Sequence, residues 1–162
     1  MKVISPNFTI KKDLKNKKSE KVKKLEFETY VMLSDGECNE GSIWEAAMLS
    51  SAQKLSNLIG IIDYNKWQAT GRSDEIMALE PLAAKWEAFG WHSQEIDGHD
   101  LAAIDKAFAA TKAEINKPSV IVAHTIKGKG VSFMEDDNNW HYRTPGPDEL
   151  AAALAELAEE QL

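Results

Sequence analysis

The sequence predicts an α/β domain built on a doubly wound, mostly parallel sheet with helices on both faces. Three observations predict it. Four short runs rich in β-branched and aromatic residues alternate with segments of helical period. Polar turns follow these runs: Asp35-Gly36, Asn65-Lys66-Trp67, Gly98-His99 and Lys127-Gly128-Lys129-Gly130. Finally, strand and helix alternate as they do in right-handed βαβ units, which places those turns along the carboxyl edge of one sheet.

Residues 1–25 are read as a basic arm without sustained period, and 26–162 as the α/β domain. The arm holds nine lysines against Asp13 and Glu20, so a chain of net charge −7 divides into an arm of +7 and a body of −14. Without interleaved aromatics or Arg it reads as a solvated arm rather than a nucleic-acid grip. The 43% apolar content is ample for a core in 162 residues. A single cysteine, Cys38, excludes an internal disulfide framework and suits a reducing cytoplasm. It lies beside the Asp35-Gly36 turn, but nothing pairs it with a base, so it reads as a bystander thiol. No apolar run is long enough to span a bilayer, and residues 1–25 lack the apolar centre of a secretory signal. The expected location is cytoplasmic.

Phe27 to Leu33 is the first strand, ended by Asp35-Gly36. From Gly41 to Leu55, Ile43 and Ala47, with Trp44, Met48, Ala52 and Leu55, recur at helical spacing, and Leu58 to Tyr64 is the second strand. Lys66 to Ser73 reads as a polar connecting loop. Leu79 to Phe89 reads as a helix, with Pro81 in its first turn, Leu82, Trp86 and Phe89 as its apolar stripe and Gly90 as its stop. Trp91 to Asp97 is the third strand, after which Asp97 and His99 hold a turn and Asp100 caps a helix whose Leu101, Ile104, Phe108, Thr111 and Ile115 face the core. Ser119 to Thr125 is the fourth strand, and its Lys-Gly-Lys-Gly sequel is a flexible basic loop suited to phosphate. Pro147 with an acidic first turn opens a terminal amphipathic helix.

Consecutive parallel strands bring Asp35 and Asn65 to one edge. Asp35 offers a charged oxygen and Asn65 a neutral one, and a backbone carbonyl in the next turn, that of Trp67, offers a third. Oxygen donors with few protein ligands suit Mg²⁺, whose shell phosphate and water complete. Gly36 lets the main chain approach a diphosphate. Turns of this composition also end many α/β strands for structural reasons alone.

The order Ser34-Asp35-Gly36, Glu40-Gly41, Trp44-Glu45-Ala46 and Asp63-Tyr64-Asn65 resembles the thiamine-diphosphate motif of the transketolase family. The likeness continues through Ile96 to Asp100, His124 to Asp136 and Asn139 to Pro145, with Ser34 in place of the family's first Gly. It implies the thiamine-diphosphate-binding fold, with Asp35, Asn65 and the Trp67 carbonyl holding Mg²⁺ and Gly36 on the diphosphate. His141 matches a position that contacts the cofactor diphosphate and substrate, although Tyr142-Arg143-Thr144 replaces the small residues that follow it in the family. Glu40 and Glu45 match acidic positions that connect paired active sites near the subunit interface. A simpler account makes Glu40 an N-terminal cap group and Glu45 a helix-surface carboxylate.

The implied activity is transfer of a two-carbon ketol unit between sugar phosphates, with thiamine diphosphate as electron sink. The family's cofactor-activating glutamate comes from the pyrimidine-binding domain, which this sequence lacks. It also lacks the family's upstream segment, with its Ser-Lys-Gly-His motif and Gly-rich turn. The resemblance is therefore to the amino-terminal subunit of a split transketolase, truncated at its amino end, whose partner is a separate carboxy-terminal subunit in a homo- or hetero-oligomer. Two alternatives stand beside it: an enzyme of the deoxyxylulose-phosphate-synthase type, and a degenerate interaction or regulatory module that keeps the fold without turnover.

Overall fold

The structure, a computed structural model, describes residues 2–3 and 27–159. The basic arm lies outside the described residues apart from Lys2–Val3, which forms β1. The four expected strands are present: β2 at Thr29–Ser34, β3 at Leu58–Tyr64, β6 at His92–Asp97 and β7 at Ser119–His124. They are parallel to one another in a sheet of order β1-β2-β3-β7-β6, in which, among the described residues, only β1 is antiparallel. β7 lies between β3 and β6, and its first five residues are buried, which explains an uninterrupted apolar run where an edge strand would alternate.

Because side chains alternate across a strand, the sheet has two faces to cover. On one, Leu33, Ile62, Val120 and Val122 meet Ile43 and Ala47 of α1 (Gly41–Ala52) and Leu82 and Trp86 of α3 (Leu82–Ala88). On the other, α4 (Leu101–Ala113) buries Ala107 and Thr111, accepts Gln94 Nε2 on the Ala107 carbonyl at 3.2 Å, and sets Phe108 edge-on to Tyr30 at 5.9 Å. Asp100 caps α4 as the sequence predicts, accepting from the Ala102 and Ala103 amides at 2.8 and 3.2 Å. The final helix, α5 (Pro147–Glu159), begins at the expected Pro147. Glu149 in its first turn reaches back to the Gly146 amide at 2.8 Å.

Four expectations are corrected. The Lys66 to Ser73 loop is a hairpin of two two-residue strands, β4 (Trp67–Gln68) and β5 (Gly71–Arg72), which runs into a short helix, α2 (Ser73–Met77). The helix predicted from Leu79 starts at Leu82, because Pro81 stands at its N-cap with extended backbone rather than in its first turn. Leu101 and Ile115 are 80% and 75% exposed, since they sit at or beyond the ends of α4, where the sheet no longer lies opposite. Met48 and Leu55 are exposed as well, and α1 buries Ile43, Ala47 and Ser50 instead.

Candidate metal-diphosphate site

The β2–β3 register pairs Ser34 with Asp63, so the turn that starts at Asp35 lies beside the one that starts at Asn65. Asp35 is wholly buried at the head of a 3-10 turn, Gly36–Asn39. Its Oδ1 accepts from the Gly36 amide at 2.8 Å and its Oδ2 from Ser73 Oγ at 2.7 Å. No lysine or arginine among the described residues is paired with it. Burial therefore pushes its carboxyl above the usual range, more than the Ser73 and Gly36 hydrogen bonds pull it down, and the charge of Asp63 adds to the rise. A buried carboxylate without a cationic partner is costly in itself and is well matched to a divalent cation.

The second turn is equally constrained. Asn65 Oδ1 accepts from the Trp67 amide at 2.9 Å, while Lys66 takes a left-handed backbone with φ of 67°. Ser73 closes the unit: its amide donates to the Lys66 carbonyl at 3.0 Å while its hydroxyl holds Asp35. The Gln68 side chain lies against Gly36, 3.7 Å from where a Cβ would stand, and its Nε2 is buried without a hydrogen-bond partner. The turns that carry Asp35-Gly36 and Asn65-Trp67 are thus joined through Ser73, with the buried, unpaired Gln68 Nε2 beside Gly36. A carboxylate, a carboxamide oxygen and a backbone carbonyl are donor types that a hard cation takes. These residues fit a magnesium diphosphate.

Asn65 borders a cavity along the carboxyl edge, whereas Asp35, Gly36 and Trp67 do not line it. The cavity, of about 570 Å³, opens between this edge and α4, lined among others by Asp63, Asn65, His99, Thr125, Lys127 and Lys129. That volume is in the range of small-molecule sites. The Asp97 and His99 turn is held by hydrogen bonds as predicted: the His99 amide donates to Asp97 Oδ1 at 2.8 Å, and His99 Nε2 accepts from the Ile126 amide at 2.8 Å. The basic loop is braced rather than open, with the Gly130 amide and Lys129 Nζ both donating to Glu135 Oε1 at 3.0 and 3.2 Å.

The other candidates stand apart. His141 ends a second 3-10 turn, Asn138–His141, is exposed, and packs edge-on against Tyr142 at 4.5 Å. Glu40 and Glu45 are exposed at the start of α1. Glu40 occupies the N-cap position but makes no side-chain cap bond, which corrects its reading as a capping group. None of the three is hydrogen-bonded to Asp35 or Asn65.

Residues 8–160 match the family model described as "Transketolase, thiamine diphosphate binding domain". The chain belongs to the transketolase family. Within that family it is 41% identical over 139 residues to an apulose-4-phosphate transketolase subunit of Phocaeicola vulgatus, covering 86% of this chain and 50% of that protein. It is 47% identical over 131 residues to a 6-deoxy-6-sulfo-D-fructose transketolase subunit of Clostridium sp., covering 81% and 48%. The chain therefore spans about half the length of the curated relatives it matches. Among solved structures it resembles transketolase from Campylobacter jejuni (TM-score 0.78, 29% identity, 83% of this chain and 21% of that one). Transketolase from Leishmania mexicana is similar too (TM-score 0.75, 31% identity, 81% and 20%). The fold is thus that of a transketolase thiamine-diphosphate-binding domain.

Three residues of this transketolase domain escaped the sequence reading: Ser73 on Asp35, Gln68 beside Gly36, and Asp136, which gathers Trp67 and Arg72. Gln68 lies in a two-residue strand, Ser73 opens a five-residue helix and Asp136 lies on a turn, so none has a period to reveal it. Cys38, expected to be a bystander thiol, is buried, and burial, with Asp35 and Glu37 nearby, pushes its thiol up to about 12. It should stay unmodified by iodoacetamide at pH 8 in the folded chain and react promptly once the chain is unfolded; mass spectrometry of the two samples checks this.

Proposed function

We propose that this chain is the thiamine-diphosphate-binding subunit of a transketolase-type transferase and moves a two-carbon ketol unit between sugar phosphates once a second polypeptide supplies the pyrimidine-binding domain. The observation that carries the reading is the buried Asp35 carboxylate, without a cationic partner among the described residues, beside Gly36 and the Asn65 turn. The names of the half-length relatives support the two-chain assembly, since these proteins are called subunits.

In this reading Asp35, Asn65 and the Trp67 carbonyl hold Mg²⁺. Gly36 leaves room for the diphosphate, and Gln68 Nε2 offers a donor beside it. When bound, thiamine diphosphate supplies the electron sink for cleaving and forming the ketol carbon–carbon bond. Ser73 keeps the Asp35 carboxylate oriented, and the Asn65–Trp67 hydrogen bond keeps the turn from relaxing. His141 is assigned to the cofactor diphosphate and substrate, and Glu40 and Glu45 to contacts between paired sites. All three are exposed on the described chain, where a partner subunit can meet them. Among the described residues no helix is long and apolar enough to cross a membrane. Sugar phosphates are the substrate class.

Calorimetric titration of thiamine diphosphate with Mg²⁺ tests this, using the chain alone and mixed with a candidate carboxy-terminal transketolase subunit. Binding only in the mixture, or much tighter there, is the expected result. No binding in either sample overturns the proposal in favour of a module that keeps the fold without the cofactor. Product analysis of an active mixture separates ketol transfer from synthase chemistry.

A further inference from the structure

The hairpin that carries Trp67 is too small to hold its own shape. Each of its strands has two residues, and their only pairing is Trp67 with Arg72 and Gln68 with Gly71. Its shape is imposed from outside. Asp136 accepts from Trp67 Nε1 at 2.8 Å, from Arg72 Nη1 at 2.7 Å and from Arg72 Nη2 at 2.5 Å, while the Arg72 guanidinium lies 3.8 Å above the Trp67 ring. One carboxylate thus grips both members of the pair that opens the hairpin.

Asp136 is itself held. Its backbone is left-handed, with φ of 55°, and its amide donates to the Lys127 carbonyl at 2.8 Å, which ties it to the loop after β7. Two residues on, Asn138 Nδ2 donates to the Gln68 and Ala69 carbonyls at 3.0 and 3.3 Å, clasping the hairpin tip. The loop after β3, the loop after β7 and the segment leading to His141 therefore meet at Asp136.

We propose that Asp136 is a positioning residue for the metal site: by fixing Trp67 and Arg72 it holds in place the hairpin whose Trp67 carbonyl would be a ligand of Mg²⁺. This rests on the metal-diphosphate reading above. The side chains of Arg72 and Asp136 are 33% and 51% exposed, and an ion pair so open to water adds little to stability. What the planar, bidentate and stacked arrangement supplies is a defined position. Mg²⁺ needs that definition, because its shell is close to octahedral with short bonds, whereas Ca²⁺ tolerates irregular and longer ones.

The discriminating measurement is therefore the ratio of Mg²⁺ to Ca²⁺ affinity at fixed thiamine diphosphate, by calorimetry in the mixture that binds the wild-type chain. Asp136→Ala should weaken Mg²⁺ by about 10-fold to 100-fold, as loss of an orienting partner does elsewhere, and Ca²⁺ by clearly less. Asp136→Asn keeps an acceptor for Trp67 Nε1 and should recover part of the Mg²⁺ loss. In the metal-free chain, the Trp67 indole N–H resonance should move in Asp136→Ala and stay near its wild-type position in Asp136→Asn. Equal loss of both metals, or no loss of either, overturns the assignment while leaving the metal site intact. Should Asp136→Ala not fold, Asp136→Asn and Arg72→Lys carry the same comparison, and an unchanged Mg²⁺ to Ca²⁺ ratio in both overturns it. Failure of the wild-type mixture to bind either metal with the cofactor removes the underlying reading and this inference with it.

Discussion

Asp35→Asn is expected to lose Mg²⁺-dependent binding of thiamine diphosphate by at least about 100-fold while the metal-free chain becomes no less stable at neutral pH. Both halves follow from burial. Asn is nearly isosteric and keeps an oxygen for the Gly36 amide, and the Ser73 hydroxyl can turn to accept from the new amide nitrogen, so neither hydrogen bond need be lost. What is lost is the charge, the strongest ligand of the proposed set. The sign of the stability effect follows from the direction of the Asp35 shift. Its folded pKa lies above the ordinary Asp value, so the stability it contributes is fully present below that value and is lost as pH rises through the raised pKa. At neutral pH the ionised, buried carboxylate is thus a net cost to the metal-free fold. Thermal unfolding of both proteins without metal should show the advantage of Asp35→Asn growing from acid to neutral pH and then levelling. In the mixture with the partner subunit, saturating Mg²⁺ with thiamine diphosphate should raise the unfolding temperature of the wild-type chain and not that of Asp35→Asn, since a ligand at 100 times its Kd adds about 2.7 kcal/mol. A variant that binds like wild type, or whose unfolding temperature collapses at every pH, sinks the metal assignment.

Asp35 and Asn65 were readable as neighbours because of handedness: two parallel strands joined by one helix put their carboxyl ends side by side, whatever packs around them. The Asp100 cap and the Asp97–His99 turn were readable for a similar reason, since these residues act within a few residues of themselves. Ser73 was not. It lies 38 residues from Asp35 and reaches it only because a hairpin folds the chain back, and strands of two residues leave no period to read. The place of β7 between β3 and β6 was also hidden, although its unbroken apolar run hinted at an interior strand. Leu101 and Ile115 misled because a helical period continues past the point where the sheet ends. In α1 the apolar residues outnumber those that one stripe can bury, so Met48 and Leu49, at 51% and 61% exposure, turn outward.

Trp86→Ala should destabilise the domain by about 3–5 kcal/mol and weaken the site some distance away. Trp86 is 2% exposed and stands between Trp44 and Trp91, with ring centroids 5.2 and 4.8 Å away. Removing it leaves a void that α1 and α3 cannot close together, because the Trp91 indole is held by the Ala47 carbonyl at 2.9 Å. For a chain of this size the unfolding temperature should fall by roughly 10 °C or more, a large part of the stability such domains have. The route to the site runs through Trp44, the family-motif residue. Its Nε1 donates to the Cys38 carbonyl at 2.8 Å and so anchors the 3-10 turn that presents Gly36. With Trp86 gone the Trp44 ring loses one of its two stacking partners and keeps Phe89 at 5.4 Å. Diphosphate affinity should therefore drop even at temperatures where the variant is folded. Trp86→Phe supplies the control. The indole Nε1 is buried without a hydrogen-bond partner, so replacing it with carbon relieves about 1–3 kcal/mol of desolvation while part of the ring burial is lost. The two effects oppose each other, and Trp86→Phe should unfold within a few degrees of wild type and retain cofactor binding. If it instead behaves like Trp86→Ala, the indole nitrogen has a partner in solution and the site depends on that bond rather than on aromatic packing.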